Sequence, residues 1–224
     1  MNKIPDILVI ASISIAVLAQ NASTPSLQRK VQGQTINSNE LPSADLTFSK
    51  EFHYVGGQAV NLYGNADAEQ HLFVKGAESG PVQAFYWVQF EHFLPTNKMT
   101  YDYDFNLSTE IGGLKFIYDV KSFPDYAGMQ AEDPRSDGAA LAHLLSQHSL
   151  AFPKRAARIR MFHLPTSDRR TELMIIYGEA VPDGSKIPVG KEGIRLDGAL
   201  PEAANTLLDH ARQNLTIRKR GSNE

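Results

Sequence analysis

One stretch of the chain, residues 82–95, constrains the fold more than any other. It is aromatic and β-branched, contains the single tryptophan of the protein, and alternates with a period of two, as a strand does. The even positions are almost all apolar, so we expect this face to lie in a core. The odd face mixes large rings with polar groups: Gln83, Phe85, Trp87, Gln89, Glu91 and Phe93. Its rings need cover from water, either by a helix or by a ligand.

Residues 1–19 differ in composition from the rest of the chain. A lysine lies near the start, an apolar run extends from Ile7 to Ala19, and small residues at its end resemble a cleavage site. We predict a secretory signal peptide, because the run is shorter than the roughly 20 residues that span a bilayer. The protein is therefore expected to be periplasmic or secreted and to keep no membrane span after the signal is removed.

Composition divides the remaining residues into three parts. Residues 20–44 are rich in Ser, Thr, Asn, Gln and Pro and lack periodicity, which predicts a flexible linker. Residues 45–217 carry the periodic segments and contain no break that would separate two cores, so we predict one domain there. Residues 218–224 are polar and are expected to form a frayed tail.

The order of periodic segments predicts an α+β fold. Strands are expected over 46–55, 59–63, 70–74, 82–95, 101–108, 114–120, 158–164 and 172–177, and helices over 139–148 and 201–215. This order does not alternate strand and helix as a parallel α/β chain must. We predict a twisted, largely antiparallel sheet of about six to eight strands with two helices on one face. The alternative is a partial β-barrel enclosing a cavity.

Several classes of protein are excluded by composition and by absent motifs. The formal net charge of −3 gives no general attraction to nucleic acid, so no such partner is expected. The absence of cysteine removes disulfides, thiolate metal sites and a cysteine nucleophile. No phosphate-binding loop, dinucleotide fingerprint or zinc-protease helix motif is present, and we predict no cofactor.

The seven histidines do not form a metal site by spacing. The nearest pair, His143 and His148, lies five residues apart on a predicted helix, where the two side chains point about 140° apart. A metal ion needs ligands that converge, and no other local pair of histidines supplies them. We predict no metal site.

Aromatic side chains around the odd face are the best candidates for the walls of a ligand pocket. The predicted ligand-binding residues are Phe85, Trp87, Glu91, Tyr101 and Tyr103. A carboxylate among incompletely covered rings is expected to have a raised pKa, which would suit an acid or a base. The alternative is that the rings form core under a helix, and we assign no catalytic residue.

Basic residues cluster between positions 154 and 170. Arg158 and Arg160 share one face of a predicted strand, and two guanidinium groups on one face can clamp a phosphate or a carboxylate. We therefore predict that these two arginines bind an anion. The alternative is a solvated face crossed by ion pairs.

Three functions from different classes fit these observations. The first, which we favour, is non-enzymatic binding of a small apolar or lipidic ligand, or of a partner protein of the envelope, beside Trp87. The second is a hydrolase-like enzyme that uses Glu91 and His92. The third is an envelope-interaction module that contacts an acidic surface through the basic residues 154–170.

Overall fold

The computed structural model describes residues 26–76 and 78–220. The predicted signal peptide lies outside these residues. In chain order the strands are β1 (Lys30–Gln32), β2 (Thr35–Ser38), β3 (Ala44–Phe48), β4 (His53–Leu62), β5 (Ala66–Lys75), β6 (Gly80–Pro81), β7 (Ala84–Phe93), β8 (Leu107–Ile111), β9 (Leu114–Phe123), β10 (Leu150–Ala151), β11 (Ala156–His163), β12 (Thr171–Ala180), β13 (Ile194–Arg195) and β14 (Leu215–Lys219). The helices are α1 (Tyr126–Ala131), α2 (Asp137–Gln147), α3 (Leu196–Ala199) and α4 (Pro201–Gln213).

Eight strands form one antiparallel sheet in the order β13-β9-β11-β12-β7-β5-β4, with β8 also paired to β9. Within it β7, the strand of the 82–95 stretch, lies between β12 and β5 and pairs with both over most of its length. This arrangement confirms the predicted α+β class and the largely antiparallel sheet. The order runs from one edge strand to another, so the described strands do not close into a barrel.

The β8–β9 hairpin turns at Gly112 and Gly113. Their φ angles are +58° and +78°, and a two-residue turn of this kind needs positive φ at both positions, which glycine adopts without strain. The predicted hairpin is therefore confirmed. Its first strand, however, begins at Leu107, and residues 101–106 lie outside any strand.

The even positions of β7 lie in a core shared with a second, four-stranded sheet of order β1-β2-β3-β14. The ring of Tyr86 packs against Phe48 and Phe52, with 4.9 Å between ring centroids in each case. Helix α4 buries its apolar stripe in the same core through Leu207 and Ala211. The prediction that the even face of residues 82–95 is a core face is confirmed for Ala84, Tyr86, Val88 and Phe90, whereas Val82 lies in the core on the other face of the sheet and His92 is exposed.

The odd positions Phe85 and Trp87 belong to a different core on the opposite face of the large sheet, covered by α1 and α2. The ring of Phe85 lies so close to Gly178 on β12 that a Cβ there would be 2.3 Å from Cζ, so the position requires glycine. Helices α2 and α4 thus cover opposite faces, and the expectation that both pack on one face is wrong. Since β7 and β12 are apolar on both faces, each face needs its own cover.

Both ends of the described chain are more ordered than their composition suggested. Residues 30–38, predicted as flexible linker, form β1 and β2, and Ile36 is fully buried. Ile36 is the single fully buried apolar side chain of these two strands, and one such residue among polar neighbours gives no detectable period. At the other end the last helix stops at Gln213, and Leu215–Lys219 forms β14 beside β3.

Candidate functional site

A cavity of about 340 Å³ lies on the odd face of β7, next to the half of that face covered by α2. Its volume is in the range of pockets that bind small molecules. Five aromatic side chains line it: Tyr63, Phe93, Tyr101, Tyr103 and Phe162. Three carboxyl groups line it as well, from Glu91, Asp137 and Glu172. Tyr63 and Met99 are largely exposed, so the cavity is reached from solvent on their side.

The start of α2 marks the boundary between the covered half of the face and the cavity. Ser136 caps the helix by accepting a hydrogen bond from the Ala139 amide at 3.1 Å, which fixes where the helix begins. The next residue, Asp137, lines the cavity, and its Oδ2 lies 3.4 Å from Gln89 Nε2 on β7. Leu141, one turn further along, is already fully buried in the core.

Two glutamates face one another across neighbouring strands on the floor of the cavity. Glu91 on β7 is the direct register partner of Glu172 on β12, so both side chains project from the same face of the sheet. Glu172 is only 3% exposed. Like charges directly opposite each other destabilise a sheet, and this pair therefore needs protons or an opposite charge.

Each glutamate accepts a hydrogen bond from a tyrosine of the segment between β7 and β8. Tyr101 donates to Glu91 Oε1 at 2.8 Å, and Tyr103 donates to Glu172 Oε2 at 2.5 Å. The segment has no ladder partner but is held by Arg169, whose Nε donates to the Tyr101 carbonyl at 2.7 Å. In return, the Tyr101 amide donates to the Arg169 carbonyl at 2.8 Å. The backbone of Tyr101 is thus fixed by contacts outside the cavity.

Three glutamine side chains on adjacent strands form a row that leads to Glu91. Gln58 Nε2 donates to Gln70 Oε1 at 2.8 Å, and Gln70 Nε2 donates to Gln89 Oε1 at 2.8 Å. Gln89 Nε2 then donates to Glu91 Oε2 at 2.6 Å. The indole of Trp87 adds a donor to Gln89 Oε1 at 3.1 Å. The single tryptophan is therefore one side chain away from the floor of the cavity.

Burial raises the pKa of each of the three carboxyl groups that line the cavity. Burial raises the pKa of Glu172 to about 8, and the charge of Glu91 adds to this effect. Burial also raises the pKa of Glu91, although hydrogen bonds from Tyr101 and Gln89 oppose the shift. The pKa of Asp137 is raised by burial in the same way. Burial thus favours the protonated form of Glu172 at neutral pH.

The predicted ligand-binding residues are divided between the two halves of the face. Glu91, Tyr101 and Tyr103 line the cavity, as expected for a pocket. Phe85 and Trp87 do not line it and are core residues with at most 2% of their surface exposed. For these two side chains the alternative prediction, core under a helix, describes the structure.

The predicted anion clamp does not have two free guanidinium groups. Arg160 lines the cavity but donates to both oxygens of Asp119 at 2.9 Å, and Arg158 lies 3.4 Å from the same carboxylate. Arg158 is 6% exposed and stacks on Phe123, so an anion in solvent does not reach it. Burial opposes ionisation of Asp119, but these arginines outweigh it and lower its pKa. Asp119 on β9 thus shares its charge with both arginines, an ion pair that the spacing of Arg158 and Arg160 in the sequence does not reveal.

Glu91 and His92, the pair considered for a hydrolase, do not act together. His92 is exposed, and its position next to Glu91 on a strand directs it to the other face of the sheet. Sequence reasoning also missed Glu172 and Asp137 as site residues. A signal was present for Glu172, because it occupies the same face of its strand as the apolar Met174 and Ile176.

In residues 26–76 and 78–220, no group of three or more histidine, aspartate or glutamate side chains is placed to hold a metal ion. No helix in the described part of the chain has the length and apolar character needed to cross a bilayer. Comparisons with protein-family models, curated proteins and solved structures give no match to this chain.

Proposed function

We propose that this protein binds a small organic ligand with an aromatic or otherwise apolar body in the cavity beside β7. The observation that carries the proposal is the composition of the cavity, in which aromatic walls surround a floor of polar groups. Binding sites for small molecules usually combine walls that are mostly apolar with a few fixed polar groups that orient the ligand. Of the two kinds of partner that the sequence suggests, a small ligand or a partner protein, this composition favours the small ligand.

The aromatic walls support this proposal because they are held in place by each other. Phe93 and Tyr101 stack with 4.4 Å between centroids and 19° between planes. Tyr103 and Phe162 stack with 4.2 Å and 28°. Rings already fixed by stacking lose little conformational entropy when a ligand binds, so less of the binding free energy is spent on ordering them.

The electrostatics of the floor favour binding over catalysis. An acid–base hydrolase pairs one carboxylic acid with one ionised carboxylate, and it does so by shifting the two pKa values in opposite directions. Here burial shifts the pKa values of Glu91, Asp137 and Glu172 upward together. None of the three pKa values is shifted downward, as the pKa of a base held ionised would be, and we infer that the cavity binds a ligand rather than hydrolysing one.

We also propose that binding takes place in the periplasm or outside the cell. The support for this is the composition of residues 1–19, with an apolar run that ends in small residues, as in a secretory signal peptide. Fusing residues 1–30 to a reporter enzyme that is active only after export tests it. Export of the fusion is expected, and retention of the intact fusion in the cytoplasm would contradict it.

Binding in the cavity is tested by protein-observed NMR with a set of small aromatic and aliphatic compounds. We expect some of them to shift the indole N–H signal of Trp87, because Gln89 connects it to the floor. Met99→Trp places a bulky ring at the entrance, where Met99 is 59% exposed, and should weaken binding by at least about tenfold.

The matched control is Leu41→Trp, which adds the same ring at a residue that is 49% exposed and does not line the cavity. It should leave every affinity unchanged. The proposal fails if no compound shifts the Trp87 signal, or if Met99→Trp and Leu41→Trp have the same effect.

A further inference from the structure

We propose that the ligand carries a protonated amine, and that Glu172 receives this amine in exchange for the proton it holds in the unliganded protein. This inference rests on the proposed function, since it names the chemical class of the ligand for the same cavity. It makes the cavity a site for an organic cation with an aromatic or apolar body.

Glu172 lies in the cavity with unused capacity to accept hydrogen bonds. Only 3% of its surface is exposed, and Tyr103 donates a hydrogen bond to its Oε2. Among the hydrogen bonds of the described residues, none reaches Glu172 Oε1. The salt bridges in this part of the chain include neither Glu91, Asp137 nor Glu172. A buried carboxyl group that lines a cavity and forms no salt bridge is suited to bind a cationic group of a ligand.

The charged and titratable groups around Glu172 come from every element packed there. Strand β7 contributes Glu91, helix α2 contributes Asp137, and the segment before β8 contributes Tyr101 and Tyr103. Strand β11 contributes Arg160, the single basic side chain among the described residues that line the cavity. Three acids thus face one base.

Burial raises the pKa of Glu172 and of Asp137 by more than the charge of Arg160 lowers them, and Arg160 forms its salt bridge with Asp119. Its guanidinium donates through two nitrogen atoms to Asp119, which also lies near Arg158. The pair of arginines and the single Asp119 leave one excess positive charge against three carboxyl groups. A further cation therefore requires that one of the three carboxyl groups be ionised, either already or by losing its proton when the cation enters.

Exchange of a proton for an amine leaves the charge of the site unchanged. In the unliganded protein Glu172 is a neutral acid, since burial raises its pKa to about 8. When R–NH₃⁺ enters, the carboxyl proton passes to solvent and the carboxylate accepts hydrogen bonds from the ammonium group. One positive charge enters and one leaves. The aromatic walls add an attraction, because cations bind favourably over aromatic rings.

Three probes of one shape separate the contributions of charge and of the apolar body. Phenethylamine is a cation at pH 7, 2-phenylethanol is neutral, and phenylacetate is an anion. Their affinities are measured by isothermal titration calorimetry in phosphate and in Tris, because the difference in heat between the two buffers counts the protons released. We expect phenethylamine to bind at least about tenfold more tightly than 2-phenylethanol, and phenylacetate to bind most weakly.

We further expect release of about one proton for each phenethylamine bound at pH 7, as the protonation of Glu172 requires. Glu172→Gln should reduce the preference for phenethylamine over 2-phenylethanol to within about threefold. Glu172→Asp keeps the acid and should retain part of the preference. Glu110→Gln changes an exposed glutamate outside the cavity and is the control.

The outcomes distinguish this inference from the proposed function. If 2-phenylethanol binds as tightly as phenethylamine, the ligand need not be a cation and the inference fails, while the proposed function stands. If Glu172→Gln keeps the full preference in a protein with a normal unfolding curve, Glu172 is not the acceptor and the inference fails. If none of the three probes binds but other compounds of the NMR set do, the inference fails and the proposed function stands; if no compound of either set binds, both fail.

Discussion

Two buried glutamates of the large sheet, Glu69 and Glu172, are equally hidden from water and have opposite electrostatic properties. Glu69 is 4% exposed and Glu172 is 3% exposed. Glu69 accepts hydrogen bonds from the backbone amides of Gln28 and Arg29, from the Arg29 guanidinium and from His71, all between 2.8 and 3.0 Å. Burial opposes its ionisation, but these donors outweigh burial and lower its pKa to about 2.

Glu172 has none of that support. One phenol, from Tyr103, donates to it, and its register partner is another acid, Glu91. Burial therefore determines the direction of the shift and raises its pKa to about 8. In both glutamates burial makes the ionised carboxylate costly, and the neighbouring groups determine whether the carboxyl group is ionised. Glu69 behaves as part of the framework, and Glu172 has the properties of a site residue.

The largest expected effect is on the free energy of unfolding and is produced by substitution of Glu69. Glu69→Gln removes the charge that pairs with Arg29 and His71 and should lower the free energy of unfolding by about 3 kcal/mol at pH 7. Urea unfolding followed by circular dichroism measures it, with Glu110→Gln as the control. A loss below about 1 kcal/mol would mean that Glu69 is not a structural ion pair.

Substitution of Glu172 is expected to have a smaller effect on the free energy of unfolding, and at pH 8 to increase it. In the folded protein this acid keeps its proton to about pH 8, whereas in the unfolded chain it ionises near its ordinary pKa of about 4.3. Its contribution to stability is therefore full at low pH and is lost as pH rises from about 4 to about 8. Glu172→Gln lacks this loss and should be more stable than the natural protein at pH 8, by on the order of 1 kcal/mol.

Urea unfolding at pH 5 and at pH 8 checks the second prediction. The two proteins should differ more at pH 8 than at pH 5. If Glu172→Gln is instead destabilising by the same amount at both values, Glu172 is ionised in the folded protein, and the contrast with Glu69 disappears.

The smallest expected effect is a change in the pKa of Glu172. It is expected on removal of the Tyr103 phenol, which bonds to Glu172, and not on removal of the Tyr54 phenol, which bonds to His71. Tyr103→Phe removes the one donor to Glu172, a hydrogen bond that favours the ionised form, and should raise the pKa of Glu172 further, by about half a unit to one unit. Carbon NMR of glutamate labelled at the carboxyl group measures the change. Tyr54→Phe, which removes the phenol bonded to His71, should leave the titration of Glu172 unaltered.

The sequence was sufficient to predict the parts of this molecule that depend on local periodicity. The strand at residues 82–95, the Gly112-Gly113 hairpin turn and the helix now bounded as Asp137–Gln147 each follow from spacing and turn chemistry within a short window. The central position of β12 was also predictable, because residues 172–177 are apolar on both faces.

The cavity was only half predictable, for a physical reason. Glu91 and the rings of Tyr101 and Tyr103 were found because they lie near one another in the chain. Glu172 and Asp137 reach the cavity through strand pairing and helix docking, which bring together residues far apart in sequence. The strand expected at 101–108 was wrong in its first six residues, since hydrogen bonds to Arg169, and not a strand ladder, hold Tyr101.

The row of glutamine side chains has a direction, and this direction distinguishes the two facing acids. From Gln58 through Gln70 to Gln89, each amide donates toward the cavity, so none can turn over without the others turning too. The row ends on Glu91, which receives a donor there, while Glu172 receives none from it. The two facing glutamates are thus made unequal by a row of amides that begins at the edge strand of the sheet. Glu172 is the acid that holds a proton before a ligand binds.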